Sequence, residues 1–206
     1  MNTINPKFTA LVAAISLCFG GAAFAQTMTK ADYKAGKSAA EADYKTAKTA
    51  CKQLSGNAKD ICNAEAKGKE KVTLAELNAT YQPGVKARYE VKVAKADSDF
   101  AIAKEKCDDV AGNVKDVCRK EASAAHIAAK ADAKAAMKTV EANVAAGEKT
   151  AVVQNAASKT ISGARKDAAT DKNDADYAVA KEKCDALAGA AKDACVTDAK
   201  LRYSKS

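Results

Sequence analysis

A pair of cysteines eleven positions apart occurs three times in the chain, each time with a glycine between its members. The segments are "CKQLSGNAKDIC" at 51–62, "CDDVAGNVKDVC" at 107–118 and "CDALAGAAKDAC" at 184–195. On one continuous α-helix such residues lie about 16 Å apart along the axis, too far for a disulfide. A helical hairpin that turns at the glycine brings them to the same height on neighbouring helices. The spacing therefore predicts hairpins closed by the disulfides Cys51–Cys62, Cys107–Cys118 and Cys184–Cys195.

The residues around each glycine are typical of such a turn. Glycine readily adopts the left-handed conformation in which helices end, and it stands here as Gly56, Gly112 and Gly189. Asparagine is a favoured N-cap, so we expect Asn57 and Asn113 to cap the second helix of their hairpins. The predicted helices are 30–55, 58–81, 85–111, 114–146, 150–188 with a candidate interruption near 163, and 191–203.

An aromatic residue, an alanine, the first cysteine and an aliphatic residue recur before each glycine with steps of three and four. This period places the four side chains on one stripe of a helix. Such a stripe indicates a packed seam rather than a ligand site. Its large members are Tyr44 and Leu54, Phe100 and Val110, and Tyr177 and Leu187.

Helix-forming residues dominate the rest of the chain, which has 34 lysines and arginines and no tryptophan. Alanine and lysine favour helices, and residues that favour strands are sparse. We therefore expect an all-α fold of elongated antiparallel hairpins in a coiled-coil-like bundle, each turn closed by a disulfide. The expected hairpin repeats are 26–84, 85–147 and 148–206, and the sequence leaves open whether the third docks on the first two.

The first 25 residues have the pattern of a cleavable signal peptide, with one lysine, an apolar run and the ending Ala23-Phe24-Ala25. An uncleaved anchor is the alternative, because the run reaches the lower limit of a membrane span. Lipid attachment at Cys18 is less favoured, since Leu17 stands where a small residue is needed. Removal of 1–25 leaves six cysteines, which suit an oxidising compartment. We expect the bacterial periplasm, with secretion from a eukaryote as the less favoured origin, and no membrane span after cleavage.

Few residues point to catalysis or to a metal. Zinc sites use cysteines two to four residues apart or combine cysteine with histidine, whereas these cysteines are farther apart and His126 is the single histidine. The chain has no C-x-x-C motif, catalytic triad or phosphate-binding loop. Although Lys106 and Lys183 precede cysteines, we interpret the sulfurs as structural. We expect a protein that is not an enzyme and has no cofactor.

The unit "DYKTAKTACKQLSGNAKDICNAEAK" at 43–67 and its copies resemble small bacterial exported proteins described as TolA-like or cell-envelope biogenesis proteins. The resemblance implies a structural or interaction protein of the envelope, a helical spacer or scaffold with a protein partner. It carries over no functional residue.

The net charge of +8 supports a second hypothesis, a binding module for envelope polyanions or unfolded clients through lysine-rich helix faces. Because 26 acidic residues are interleaved with the bases, we expect polyanion binding to be weak. Export makes nucleic acid an unexpected partner.

Overall fold

The computed structural model describes residues 28–147 and 151–205, so the predicted signal peptide at 1–25 lies outside the described residues. The helices are α1 (Lys30–Cys51), α2 (Gly56–Tyr81), α3 (Val85–Lys106), α4 (Gly112–Ala146), α5 (Ala151–Cys184) and α6 (Gly189–Arg202). A short 3₁₀ segment, Cys107–Asp109, follows α3. The described residues contain no strand, and the all-α prediction is confirmed.

Each helix packs mainly against the helices that precede and follow it in the chain. The hairpins are α1–α2, α3–α4 and α5–α6. They are joined because α2 packs on α3 and α4 packs on α5, so the third hairpin docks on the second. Among the described helices, no substantial contact joins two that are not consecutive. The bundle is therefore an open layer with two broad exposed faces.

The three disulfides close the hairpins as predicted: Cys51–Cys62, Cys107–Cys118 and Cys184–Cys195. Their Cα–Cα distances are 5.6, 5.6 and 5.7 Å, in the usual range for this bond. The first cysteine of each pair is 1% exposed, and these three are the largest fully buried side chains in the described chain. The sulfurs thus fill the space between the two helices where each hairpin turns.

The first helix of each hairpin ends four or five residues earlier than the sequence period indicated. After the cysteine the chain tightens: the amides of Gln53 and Leu54 donate to carbonyls three residues back, both at 3.1 Å. This is the tighter hydrogen-bond pattern common at helix ends. The early end places the cysteine at the last residue of α1 and α5, and directly after α3, from where it reaches across to its partner.

The glycines adopt positive φ angles of 56° at Gly56, 60° at Gly112 and 54° at Gly189. A residue with a Cβ is disfavoured there by about 1–2 kcal/mol. Each glycine begins the second helix of its hairpin. The N-cap positions are Ser55, Ala111 and Ala188, none with a side-chain capping bond. The prediction that Asn57 and Asn113 cap these helices is therefore wrong, because the glycines take the helix starts.

The predicted seam divides into a half-buried part and an exposed part. Its aromatic members are half-buried: Tyr44, Phe100 and Tyr177. Its aliphatic members are exposed: Leu54 by 44%, Val110 by 39% and Leu187 by 44%. The prediction that these aliphatic residues belong to the core is wrong. They lie in the turns, where the helix has ended and its period no longer sets the direction of a side chain.

Alanine supplies most of the core. Sixteen apolar residues are buried in the described chain, of which twelve are alanines, three are cysteines and one is Val179. Small side chains let the helices approach closely, and a Cβ added at Gly68 on α2 would overlap the Ser98 hydroxyl of α3. A buried methyl group contributes only about 0.8 kcal/mol. The core between the helices is consequently thin.

The last long helix, α5, is continuous over 34 residues, so the predicted interruption near 163 is absent. A Cβ at Gly163 would face open space, and this glycine serves no close contact. Although several helices have sufficient length, none of those described is apolar enough to cross a membrane.

We expect the loss of one disulfide to lower stability substantially. The Cys107→Ala/Cys118→Ala variant loses a loop closure worth about 3 kcal/mol in the chain-entropy model, against a typical total of about 5–15 kcal/mol. Thermal unfolding followed by circular dichroism should show a lower Tm for this variant and for the reduced parent. Reductant should leave a variant without the six paired cysteines unchanged. An equal Tm for the oxidised and reduced parent would contradict the expectation.

Candidate functional site

The three turns lie side by side at one end of the layer, which we call the disulfide end (residues 51–62, 107–118 and 184–195). The Asn57 Nδ2 donates to the Glu105 carbonyl and to Asp109 Oδ1, both at 2.7 Å. The Asn113 Nδ2, at the same position of the next repeat, donates to the Glu182 carbonyl at 3.1 Å. Each asparagine therefore joins its own hairpin to the next one.

This contact explains why the asparagines are not caps of their own helices. Glu105 and Glu182 lie in the last turns of α3 and α5, where a carbonyl group has no amide of the same helix four residues further on to accept from. The amides of Cys107 and Asp185 donate to these two carbonyls, and the asparagines add a second donor. The asparagine side chain thus satisfies the helix end of the neighbouring hairpin. The third repeat has Ala190 at this position, which has no side-chain donor, and its helix α6 packs mainly against α5.

An ion pair across the turn is present in the second and third hairpins, whereas the first hairpin has lysines, Lys52 and Lys59, at both positions of the pair. Lys115 Nζ lies 3.2 Å from Asp108 Oδ1, and its hydrogen bond lowers the pKa of the Asp108 carboxyl. Lys192 Nζ lies 2.9 Å from Asp185 Oδ1 and lowers the pKa of that carboxyl in the same way. The first repeat has Lys52 at the position of these acids. At this one position the first turn is therefore basic, whereas the second and third turns are acidic.

The disulfide end also exposes an apolar row. It consists of Leu54, Val110 and Leu187, one from each turn. A single exposed aliphatic side chain is ordinary on a protein surface. The three occupy equivalent positions, so each turn of the disulfide end presents one exposed aliphatic side chain to a neighbouring molecule.

A histidine–carboxylate contact joins α3 to α4. His126 Nε2 lies 2.6 Å from Asp97 Oδ1, and the imidazole stacks on Phe100 with a centroid distance of 4.6 Å. Lys130 Nζ is 3.6 Å from the same carboxylate oxygen. Partial burial raises the pKa of the Asp97 carboxyl, but the hydrogen bond from His126 and the charge of Lys130 outweigh it. The pKa of Asp97 is consequently lowered.

The other repeats indicate that His126 occupies a packing position. Eight residues after the second cysteine the chain has Glu70, His126 or Tyr203. Tyr203 also faces the aromatic residue of the preceding helix, Tyr177, with ring centroids 6.2 Å apart. The cysteines of the described chain are all in disulfides, so none offers a thiol to the His126–Asp97 pair. The pair stabilises the contact between α3 and α4.

A groove between α4, α5 and the end of α6 has a volume of about 600 Å³. Alanines such as Ala124 and Ala128 form its floor. At its rim Lys183 Nζ pairs with Glu121 Oε1 at 2.7 Å, so the two charges neutralise each other. Within the described residues, no group of three or more histidine, cysteine or acidic side chains is placed to hold a metal ion.

Comparison with known proteins adds no assignment of function. No protein-family model, curated protein or solved structure matches the chain. The resemblance to TolA-like exported proteins stays an expectation from the repeat unit.

We expect Asn57→Ala and Asn113→Ala to loosen the contacts between hairpins while the disulfides stay intact. Each lost hydrogen bond contributes about 1 kcal/mol. Native-state hydrogen exchange should accelerate at the end of α3 in the first variant and at the end of α5 in the second. Ala190→Asn is the matched control and should change the unfolding free energy by less than about 0.5 kcal/mol. Equal effects at all three positions would refute the bridging role.

The lowered pKa of Asp97 predicts a pH dependence. Its contribution to stability is present above the unfolded value of about 3.9 and is lost as the pH falls through the lower folded value. Solvent screening reduces the effect because the side chain is 42% exposed. Denaturation at pH 7 and at acidic pH should show a smaller loss for Asp97→Asn than for the parent. Asp99→Asn, at an exposed site, is the control and should retain the parent profile; a parental profile for Asp97→Asn would refute the linkage.

Proposed function

We propose that this protein is a non-enzymatic structural or interaction protein of the bacterial periplasm, a helical scaffold that binds a protein partner in the cell envelope. The open layer carries this proposal. Because each helix packs mainly on its chain neighbours, the broad faces of the layer stay exposed along the helices. A fold that exposes this much surface is suited to contact with large molecules.

The bonds between helices support a scaffold in which the arrangement of the helices is fixed. The disulfide at each turn fixes two helices covalently, and the asparagine bridges fix consecutive hairpins. These bonds compensate for the thin alanine core. Disulfides persist in oxidising compartments such as the periplasm, which supports the proposed location together with the signal-like sequence at 1–25.

The exposed aliphatic residues indicate where a protein partner would bind. The apolar row lies at the disulfide end. At the opposite end, Val144 is 69% exposed and Val152 is 79% exposed, near the connection between α4 and α5. Solvent-exposed side chains of this type release water when a partner covers them, which favours binding. The two ends of the layer are thus two separate candidate surfaces for a protein partner.

The proposal is tested by photo-crosslinking in the native envelope. A photoreactive residue is placed at Leu187, at the disulfide end, and in a second variant at Val152, at the opposite end. Both positions are exposed, so neither replacement disturbs the core. We expect a discrete adduct with one protein, formed at one of the two ends and lost when the disulfides are replaced by alanine pairs.

Two results would contradict the proposal. One is recovery of the protein without a discrete adduct at either end. The other is retention in the cytoplasmic fraction with an unprocessed N-terminus, whereas we expect release by osmotic shock of a chain that begins at Gln26. The parent protein without the photoreactive residue serves as the control for adventitious adducts.

A second candidate function is the binding of envelope polyanions or unfolded clients through lysine-rich faces. One observation favours it. Residues 30–81 contain ten lysines, and no ion pair of the described chain includes any of them. A lysine without an internal carboxylate partner is available to pair with an external anion.

A further inference from the structure

Six lysines lie along one side of α1. They are Lys30, Lys34, Lys37, Lys45, Lys48 and Lys52, and all are exposed. Their spacing follows the three- and four-residue steps of the helix, and Lys52, the C-cap residue, keeps helical backbone angles. At 3.6 residues per turn they fall within an arc of about 80°. We call this surface the lysine stripe. Glu41 lies in the same arc and separates the stripe into two groups of three.

The contacts of α1 fix the position of the stripe on the layer. Tyr33 and Tyr44 face α2, and Tyr33 stacks on Tyr81 with a centroid distance of 4.4 Å. Lys37 Nζ lies 6.0 Å from the Tyr33 ring centroid, and Lys48 Nζ lies 5.7 Å from that of Tyr44. The stripe therefore borders the packed side of α1 and runs along one broad face of the layer.

The other repeats do not conserve this charge at the equivalent positions. Lys34 corresponds to Glu90 in α3 and Asp167 in α5, and Lys52 corresponds to Asp108 and Asp185. The seven positions of the stripe hold six lysines and one acid in α1, two lysines and three acids in α3, and one lysine and three acids in α5. Of the three helices compared, α1 alone has a net positive charge at these positions.

The internal pairing of charges shows the same contrast. On α3, Asp97 lies within 4 Å of His126 and Lys130, and on α5, Asp174 pairs with Lys205. No ion pair of the described residues includes a side chain of α1. The lysines of the stripe are therefore charges without a counterion within the layer, and they are concentrated on an exposed edge helix.

We infer that the lysine stripe binds a linear polyanion, a chain of carboxylate, sulfate or phosphate groups that lies along α1. The inference deepens the second candidate function and rests on it for the ligand class. The helix is about 33 Å long at 1.5 Å per residue, so several successive anionic groups contact the stripe at once. Release of their counterions drives binding and makes it sensitive to salt.

The charge distribution distinguishes a narrow chain from a wide surface. A flat anionic membrane would lie across the same broad face of α3 and α5, where the equivalent positions offer three lysines in total against six on α1, so most of that face would add little attraction. A single polymer chain contacts α1 alone. Single-stranded nucleic acids bind by stacking their bases on free aromatic side chains. Tyr33, beside the stripe, already stacks on Tyr81 and is not free to stack on a base.

The test uses a variant built from the protein's own repeats. It combines Lys34→Glu, Lys37→Thr, Lys45→Ala and Lys52→Asp, and each new residue occurs at the equivalent position of the second or third repeat. The matched control changes four exposed lysines outside α1 with the same change in net charge. Its substitutions are Lys92→Ala, Lys134→Ala, Lys159→Glu and Lys166→Glu. Circular dichroism and thiol counting verify that both variants keep their helices and disulfides.

Binding of a heparin oligosaccharide and of polyphosphate is measured by fluorescence anisotropy at two salt concentrations. We expect the stripe variant to lose affinity by more than about tenfold and to show a shallower salt dependence, because it lacks four of the six contacts. The control should stay within about twofold of the parent. Glu41→Gln should strengthen binding, since it removes the one acid from the stripe. The two probes distinguish sulfated sugar from phosphate as the preferred group.

Three outcomes would overturn the inference. Equal losses for the stripe variant and the control would mean that net charge alone determines binding. Tighter, stripe-dependent binding to vesicles of equal phosphatidylglycerol and phosphatidylcholine would mean that a membrane surface is the occupant. A dimer that sedimentation detects in the parent and not in the stripe variant would mean that a second copy is the occupant. Failure of this inference leaves the scaffold proposal intact, because the crosslinks at Leu187 or Val152 do not involve the stripe.

Discussion

Each hairpin depends on one short covalent loop, a glycine in left-handed conformation between two cysteines that share a disulfide. The glycine reverses the chain in a few residues, and the sulfurs hold the end of one helix against the second turn of the next. Because the first sulfur of each pair is fully buried, the disulfide is also the largest piece of core at that end. The antiparallel order of the helices follows from this loop, since each helix can return only beside the one before it.

The thin core explains why the layer stays open. An alanine-rich helix contributes little apolar area to each neighbour, so a compact arrangement with several neighbours per helix would gain little more than the consecutive packing does. Polar contacts between helices add to the limited stabilisation that the alanine core provides. The amide of Asn57 satisfies the end of α3, and the His126–Asp97 contact joins α3 to α4 beside the Phe100 ring. The asparagine contact thus holds consecutive hairpins together, and the histidine contact holds the two helices of the second hairpin together.

The parts of this arrangement that the sequence could predict are those set by local geometry. The eleven-residue cysteine spacing is compatible with a disulfide only across a turn, so the pairing and the hairpins could be derived. The exposure of Leu54 could not, because the apolar period continues for one step beyond the end of the helix. The hydrogen-bond partners of Asn57 and His126 could not be predicted either. Glu105 and Asp97 belong to other helices, and no periodic pattern in one helix reports which residue of the next helix will face it.

The differences among the repeats are the best guide to what the surfaces do. Residues needed for the hairpin itself, such as Gly112 and its cysteine pair, are the same in all three copies. Positions at the junctions vary with the neighbour they meet, as Asn57 and Ala190 show. The lysine stripe varies at exposed positions of α1: Lys34, for example, has no ion pair within the layer, and its counterparts are Glu90 and Asp167. A difference that packing does not require, repeated along one exposed helix, is best explained by contact with something outside the layer.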